Sequence, residues 1–409
     1  MKELKYIEGN VQFGVEYDWT FIRKEFKKLK IPKNVFNPCT LPIEKAAYFV
    51  LMSIRSSGKT TNIILLAAIQ HYNYGSVTQY VRQTSEMIQP RNGIGDIMNT
   101  INQFGYISKI TNGEYDSVVK KSRYIYLAKL DSEGNLEKLD EKPFIFLMSL
   151  DSWAEYKSNY NAPLGDIIIF DEFIGKVYYP DEFIWFMDLI KTIARNRLSV
   201  KIFMLANTIN KHSSYFHELE IYDSIGCMKL GDEKLITTRL GTNVFVEMID
   251  NEIQRKLNER QNRILFGFGN TKLAAITGAQ TWSMSEYPHV PKYSDMRVLF
   301  QKIYIEHNNK LVNIKLCTSG ALPLYAICSW ASRTYTDSYI YTLDTIIESN
   351  HHFRMGNSRT KIDRILSDLF KDNKVFYATN DVGSFVENYF SECTKKCWHS
   401  LTLVVLYWV

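Results

Sequence analysis

Ile167-Ile168-Ile169-Phe170-Asp171-Glu172 is a run of four apolar residues closed by two carboxylates. An apolar run this short, ended by acids, reads as a strand whose end presents a metal-ligating carboxylate and a second one that can activate water. A second run, Ala47 to Met52, ends in a different chemistry: Ser53-Ile54-Arg55-Ser56-Ser57-Gly58-Lys59-Thr60. The usual phosphate-holding turn is Gly, four residues, then Gly-Lys-Ser/Thr. Here Ser53 stands for the first glycine. Small residues at Ser53, Ser56, Ser57 and Gly58 still let backbone N–H groups curl around an anion. Arg55 adds a cation inside the loop. Lys59 is placed to reach β and γ oxygens, and Thr60 to ligate Mg2+. From Thr61 to Gln70 the pattern is helical, and a helix N-terminus favours anions.

The two acids carry different tasks. Asp171 is expected to hold the Mg2+ shell through Thr60 or water, and Glu172 to polarise an attacking water. Either strand end alone passes for an ordinary turn. Together they imply hydrolysis of a nucleoside triphosphate.

The chain has 409 residues, enough for two or three domains with real cores. Its net charge of +5 permits a nucleic-acid surface without demanding one. The six cysteines form no CxxC pair, and Cys393 and Cys397 have only His399 nearby, so a reduced, cytosolic protein is the simplest reading. The N-terminus Met1-Lys2-Glu3 shows no signal peptide. The apolar tail Leu401 to Val409 is too short to span a bilayer and is expected as a last strand or a contact surface.

Residues 1–46 read as an arm with one helix, about Asp18 to Leu29. Strands are expected at Ala47–Ser53, Val77–Arg82, Ser117–Lys120, Tyr124–Ala128, Phe144–Ser149, Asp166–Phe170 and Lys201–Ala206. Helical patterns fall at Thr61–His71, Gly93–Gln103 and Asp181–Arg197. Such alternation predicts a mostly parallel α/β sheet. The expected division is an ATPase domain with its arm at 1–222, a linker subdomain at 223–290 and a C-terminal domain at 291–409. The linker holds a charged helix, Asn251–Asn262, and a Gly- and Thr-rich stretch, Phe266–Ser283. The last domain carries strands at Val298–Glu306, Leu311–Cys317, Leu324–Ser329 and Tyr339–Leu343, then helices at Lys361–Phe370 and Val382–Phe390.

Three further features each admit two readings. Arg195, at the end of the Asp181–Arg197 helix, is either a dipole-matched cap or a finger reaching the γ-phosphate of a neighbouring subunit. Asn207, at the tip of the next strand, is either a turn residue or a sensor that holds water at the γ-phosphate. Lys120, Lys121 and Arg123, on a hairpin-like segment, are either a solvated charged turn or contacts to a nucleic-acid backbone.

Taken together, Ile167-Ile-Ile-Phe-Asp-Glu-Phe-Ile174, Tyr179-Pro180, Ala194-Arg-Asn-Arg197, Leu205-Ala-Asn207 and Tyr215-Phe216 resemble the DNA packaging ATPases of the phi29-like small podophages. These DNA encapsidation proteins are related to terminase large subunits. Tyr80-Val-Arg82, Val118 to Arg123 and Lys157-Ser-Asn159 also resemble that family, so the likeness covers about Ala47 to Phe216. It implies an ASCE-type P-loop ATPase domain, a linker subdomain and a C-terminal α+β domain of RNase H-like fold that has lost its nuclease activity. It implies a homo-oligomeric ring, five subunits in the family, at the portal of a procapsid in the infected cell's cytoplasm, with no membrane partner. There ATP hydrolysis drives double-stranded DNA inward, and the resemblance leaves open whether a structural RNA takes part. By position, Arg195 matches the family's trans-acting arginine, Lys157 a lysine of its lid, and Asn207 the polar residue after the next strand. Ser53 and Ser57 depart from the family's loop. A P-loop nucleotide kinase, or a scaffold protein with a decayed nucleotide site, are the competing readings. The kinase has no need of Glu172, and the scaffold draws its support from Ser53.

Overall fold

The computed structural model describes residues 17–53, 57–89, 94–159, 165–174, 182–195, 197–207, 213–265, 287–290, 293–343, 349–355 and 360–396. The chain divides into two compact units. The first comprises Met1–Gly175, Asp181–Thr208 and Glu218–Ile264, and the second Lys176–Pro180, Ile209–His217 and Leu265–Val409.

Ten strands make the first unit's sheet: β1 (Tyr48–Ser53), β2 (Thr78–Arg82), β3 (Ser117–Lys121), β4 (Tyr124–Leu130), β5 (Leu136–Leu139), β6 (Ile145–Ser149), β7 (Ile167–Asp171), β8 (Lys201–Asn207), β9 (Glu233–Thr237) and β10 (Asn243–Ile249). Their order is β3-β4-β6-β2-β7-β8-β1-β10-β9, with β5 on β4. The six from β6 to β10 in that order are mutually parallel. Antiparallel hairpins finish both edges. Every residue of β2, β6 and β7 is buried, as two-sided apolar strands require.

The helices up to residue 265 are α1 (Trp19–Lys28), α2 (Lys59–Tyr74), α3 (Ile94–Gln103), α4 (Tyr106–Ile110), α5 (Trp153–Asn159), α6 (Glu182–Ala194), α7 (Ser214–Glu218), α8 (Tyr222–Cys227) and α9 (Glu252–Leu265). In α2 every residue from Ile63 to Ile69 is buried. A helix apolar on all sides must be covered on all sides. Trp19, Ile22 and Phe26 of α1 supply part of that cover, in one core with Phe49, Leu51 and Leu147. Among the described residues no helix is long and apolar enough to cross a membrane.

Two details depart from the sequence-based expectation. The stretch read as leaving the ATPase domain at residue 223 contributes β9 and β10, and β10 pairs along the whole of β1. The helix expected to run to Arg197 stops at Ala194, because Arg195 turns into the left-handed region at φ 42°. Arg197 is then free to fold back as a buried anchor. Its guanidinium donates to the carbonyls of Ile193 and Gly165, both at 2.8 Å, and lies 3.4 Å from Asp166. A Cβ on Gly165 would fall 1.6 Å from the Val77 carbonyl oxygen, so only glycine fits there.

The second unit holds β11 (Arg297–His307), β12 (Lys310–Thr318), β13 (Tyr325–Ala331), β14 (Tyr339–Thr342), β15 (His351–Phe353) and β16 (Val375–Tyr377), with helices α10 (Lys361–Lys371) and α11 (Asn380–Lys396). The sheet order is β15-β14-β11-β12-β13-β16. β11, β12 and β13 form an antiparallel meander, and β14 returns parallel to β11. A first strand paired antiparallel to the second and parallel to the fourth is the expected RNase H-like arrangement. Thr360 and Asp363 form a capping box on α10, and Asp363 also accepts from Tyr341 Oη at 2.6 Å. The tail Leu401–Val409 and the Phe266–Ser283 stretch lie outside the described residues.

Candidate nucleotide site

β8 lies between β1 and β7, so the ends of three adjacent parallel strands carry the expected chemistry. Ser53, the last residue of β1, is opposite Asn207, the last of β8. Asp171, the last of β7, is opposite Leu205. Parallel strands bring their carboxyl ends to one edge, where open α/β sheets place ligands.

Gly58 begins α2 at φ 74°, a conformation that glycine adopts without strain. The N-terminal arm braces the turn. Phe36 N–H donates to the Ser57 carbonyl at 2.8 Å, and Asn62 Nδ2 donates to the Phe36 carbonyl at 2.5 Å. Val35 lies 3.0 Å from where a Cβ on Gly58 would be, so any larger residue would press on the arm as well as strain the turn. Ser53 Oγ sits 2.7 Å from Ser57 Oγ. The two serines that replace the family's loop residues thus bond to each other.

Lys59 is buried, and its ammonium donates to Ser53 Oγ at 2.9 Å and to Asn207 Oδ1 at 3.0 Å. Burial pushes it down to about 8, against the opposing pull of Asp171 and Glu172. Thr60 Oγ1 donates to Asp171 Oδ1 at 3.1 Å. Thr61 is half-buried on the first turn of α2. Asp171 Oδ2 accepts from Tyr80 Oη at 2.6 Å and from Arg82 Nη1 at 3.0 Å. Burial first, then the Asp171 charge, raises the Tyr80 phenol well above its ordinary range, so it stays a donor. The same guanidinium reaches Glu172 Oε2 at 2.7 Å through Nη2. Burial opposes the Arg82 cation, but Tyr80, Asp171 and Glu172 outweigh it. Glu172 itself is half-exposed, with 52% of its side chain open, and has φ 54°. A non-glycine residue there carries backbone strain, a common feature of functional turns.

The structure therefore brings Ser53, Ser57, Lys59, Thr60, Asp171, Glu172 and Asn207 together. Arg55 and Ser56 lie outside the described residues, as does the Lys157 side chain, although Lys157 is on α5. Arg195 is exposed at the end of α6. Of the basic trio, Lys121 is exposed and Lys120 half-buried on β3. Arg123 donates to Tyr156 Oη at 3.0 Å and packs over that ring, so it also ties β4 to α5. Sequence reasoning missed Tyr80 and Arg82 as site residues. Their signal was a polar tip, Tyr80-Val-Arg82, on an otherwise buried strand.

Thr60 and Asp171 suit Mg2+: both offer hard oxygen donors, 3.1 Å apart, beside the helix that receives phosphates. Among the described residues, no group of three or more His, Cys, Asp or Glu side chains could hold a metal ion.

No family model matches the chain, and no curated protein matches it. Solved structures do. A chain of the bacteriophage Phi-29 viral genome packaging motor assembly is similar at 17% identity and TM-score 0.52, covering 88% of this chain and 99% of that one. A chain of the Phi-28 gp11 DNA packaging motor is similar at 16% identity and TM-score 0.52, covering 88% and 98%. Along nearly the whole of those chains, this protein shares the fold of viral DNA packaging motor chains, with a mostly parallel α/β unit and an RNase H-like one.

Proposed function

We propose that the protein is an ATPase subunit of a viral DNA packaging motor, hydrolysing ATP to drive double-stranded DNA into a procapsid. One observation carries this reading. Lys59 and Thr60 of the phosphate turn already touch the side chains expected to serve the γ-phosphate and the Mg2+ shell, Asn207 and Asp171. A decayed scaffold protein would have no reason to keep four such groups in register.

In this reading the turn at Ser53–Lys59 wraps the phosphates, and Lys59 exchanges Ser53 and Asn207 for β and γ oxygens. Thr60 and Asp171 hold Mg2+, which supplies positive charge to the leaving and transferred oxygens when bound. Asn207, released by Lys59, orients water at the γ-phosphate. Glu172 accepts the proton of the attacking water, which requires that it leave Arg82. Arg195 serves the site of a neighbouring subunit in a homo-oligomeric, pentameric ring at the procapsid portal. Lys157 on the α5 lid closes over nucleotide, and Lys120 and Lys121 meet the DNA backbone without reading sequence. The ring acts in the cytoplasm of the infected cell. Of the stretch 223–290 expected as a linker subdomain, we read only the part after β10 as a linker, and we read the RNase H-like unit as a non-cleaving partner-binding domain. Support for the latter is that β11 carries no acid before Glu306, whose carboxylate faces His351 at 3.1 Å.

The test is phosphate release by the purified protein with ATP and Mg2+, alone and with double-stranded DNA or procapsids. Stimulation by DNA or procapsids is expected. No release under any of these conditions sinks the reading. Transfer of the γ-phosphate to a nucleotide acceptor, in place of release, would favour the kinase.

A further inference from the structure

Gln83 follows Arg82 in the chain and is buried. Gln83 lies in the bend just past the end of β2. Gln83 Nε2 donates to the Phe173 carbonyl at 3.3 Å and to Glu182 Oε1 at 3.1 Å. Phe173 is the residue after Glu172. Glu182 opens α6, the helix that stops just before Arg195, and is fully buried. The Gln83 carbonyl accepts from Asp151 N–H at 3.1 Å, in the turn leading into α5, the helix that carries Lys157. The Asp151 carboxylate in turn accepts from Ser85 N–H at 3.0 Å and Ser85 Oγ at 3.3 Å. Two successive residues, Arg82 and Gln83, therefore touch both site carboxylates, the chain just past them, the start of α6 and the approach to α5.

We propose that Gln83 is a positioning residue that carries the state of the carboxylate pair to α5 and α6. This inference rests on the nucleotide-site reading above. When Glu172 leaves Arg82 to meet water, the backbone at 82–83 and at 172–173 shifts. The Gln83 amide holds those two segments and Glu182 together, so α6 moves with them. The Gln83 carbonyl passes the same displacement to Asp151 and α5. Arg195 and Lys157, far along the chain from Glu172, are in this way set by whether a γ-phosphate is present.

The fold contains its own reporter. Trp153 opens α5 and Trp185 lies on α6, and their rings stack at 6.3 Å with planes 15° apart. The excitonic circular dichroism of this pair, isolated by subtracting the spectrum of Trp185→Phe, reads the relation of α5 to α6. The experiment uses the full chain with adenosine imidotriphosphate and with ADP, and measures affinity separately by calorimetry. In the unsubstituted protein the imidotriphosphate is expected to change the couplet and ADP not. Gln83→Met keeps the length and removes the amide. It is expected to bind the imidotriphosphate within about threefold of the parent affinity while the couplet stays at its ADP value. A variant that only loosened packing would lower stability and leave the nucleotide response in place. Should Gln83→Met fail to fold because Glu182 loses a donor, Gln83→Met with Glu182→Leu removes both partners and restores an apolar contact. An unchanged nucleotide response in whichever variant folds overturns the proposal. So does imidotriphosphate binding to the unsubstituted protein with no change in the couplet. If the unsubstituted protein binds no nucleotide at all, the calorimetry shows it, and the site reading falls together with this inference.

Discussion

The two ends of β7 are built from nearly the same parts and do different things. At its start, Asp166 accepts from Tyr17 Oη at 2.5 Å and Ser199 Oγ at 3.1 Å, with the Arg197 guanidinium 3.4 Å away. At its end, Asp171 accepts from Tyr80 Oη at 2.6 Å, Thr60 Oγ1 at 3.1 Å and Arg82 Nη1 at 3.0 Å. Each is a buried carboxylate held by a tyrosine, a hydroxyl and an arginine. The difference is what else the arginine and the hydroxyl serve. Arg197 spends its remaining donors on the carbonyls of Ala194, Ile193 and Gly165, so that cluster is closed. Arg82 shares its guanidinium with the half-exposed Glu172, and Thr60 stands in the first turn of α2 next to Lys59. The same groups make a clasp where every bond is internal, and a site where one carboxylate and a helix N-terminus remain open to a ligand.

Substitutions at the two ends should separate these roles. Lys59→Ala and Asp171→Asn are expected to abolish phosphate release, a loss on the order of 10³-fold or more, with Lys59→Ala also weakening ATP binding. Turnover at the parental rate in either would remove the open end from the nucleotide reading. Glu172→Gln should keep ATP binding and cut hydrolysis by about 10²- to 10⁴-fold, since an amide cannot accept the proton. Normal hydrolysis there would reassign the base.

Arg195→Ala should spare ATP binding by the isolated chain and lower hydrolysis in assembled rings by on the order of 10³-fold. Mixing Arg195→Ala with Lys59→Ala subunits should recover part of the rate at interfaces where both residues are intact. Rings that assemble and recover nothing would place Arg195 in its own subunit or leave it a helix cap.

At the closed end, Arg197→Ala leaves the buried Asp166 charge without its cation and should cost about 3–5 kcal/mol of stability. Nucleotide affinity of the folded fraction should not change. Equilibrium denaturation and nucleotide titration read the two effects apart, and a selective loss of affinity would break the comparison.

The smallest effect is protonic. Lys59 in the folded protein loses its proton near 8, below its ordinary value. Between that pH and the ordinary lysine range the unfolded chain therefore binds more protons, and stability should rise with pH across this window. Phosphate charge favours the ammonium, so ATP binding between about pH 8 and 9 should take up a fraction of a proton. Calorimetry in buffers of different ionisation enthalpy measures that uptake, and proton release would contradict the site.

Much of this was legible along the chain. The apolar runs Ala47–Ser53 and Asp166–Phe170 each end in a motif whose chemistry needs no partner to be recognised, and period and length set the strands between them to within a residue or two, except the exposed β5, which the pattern missed. Ser53, the support for a decayed site, proved to be bonded to Ser57 and to Lys59. What the sequence could not decide was adjacency. The order β2-β7-β8-β1 is a property of pairing between segments distant in the chain, as far apart as Tyr48 and Ile202, and it alone makes Asn207 meet Lys59 and Arg82 meet Glu172. Arg195 and Arg197 are alike in sequence, two residues apart at a helix end. Arg195 itself turns left-handed where α6 stops, which leaves it exposed and buries Arg197 against Asp166. Local pattern is written in hydrophobic period and turn chemistry. Which buried charge finds which partner is settled only when the sheet closes, because an unpaired charge in that interior costs more than any local preference returns.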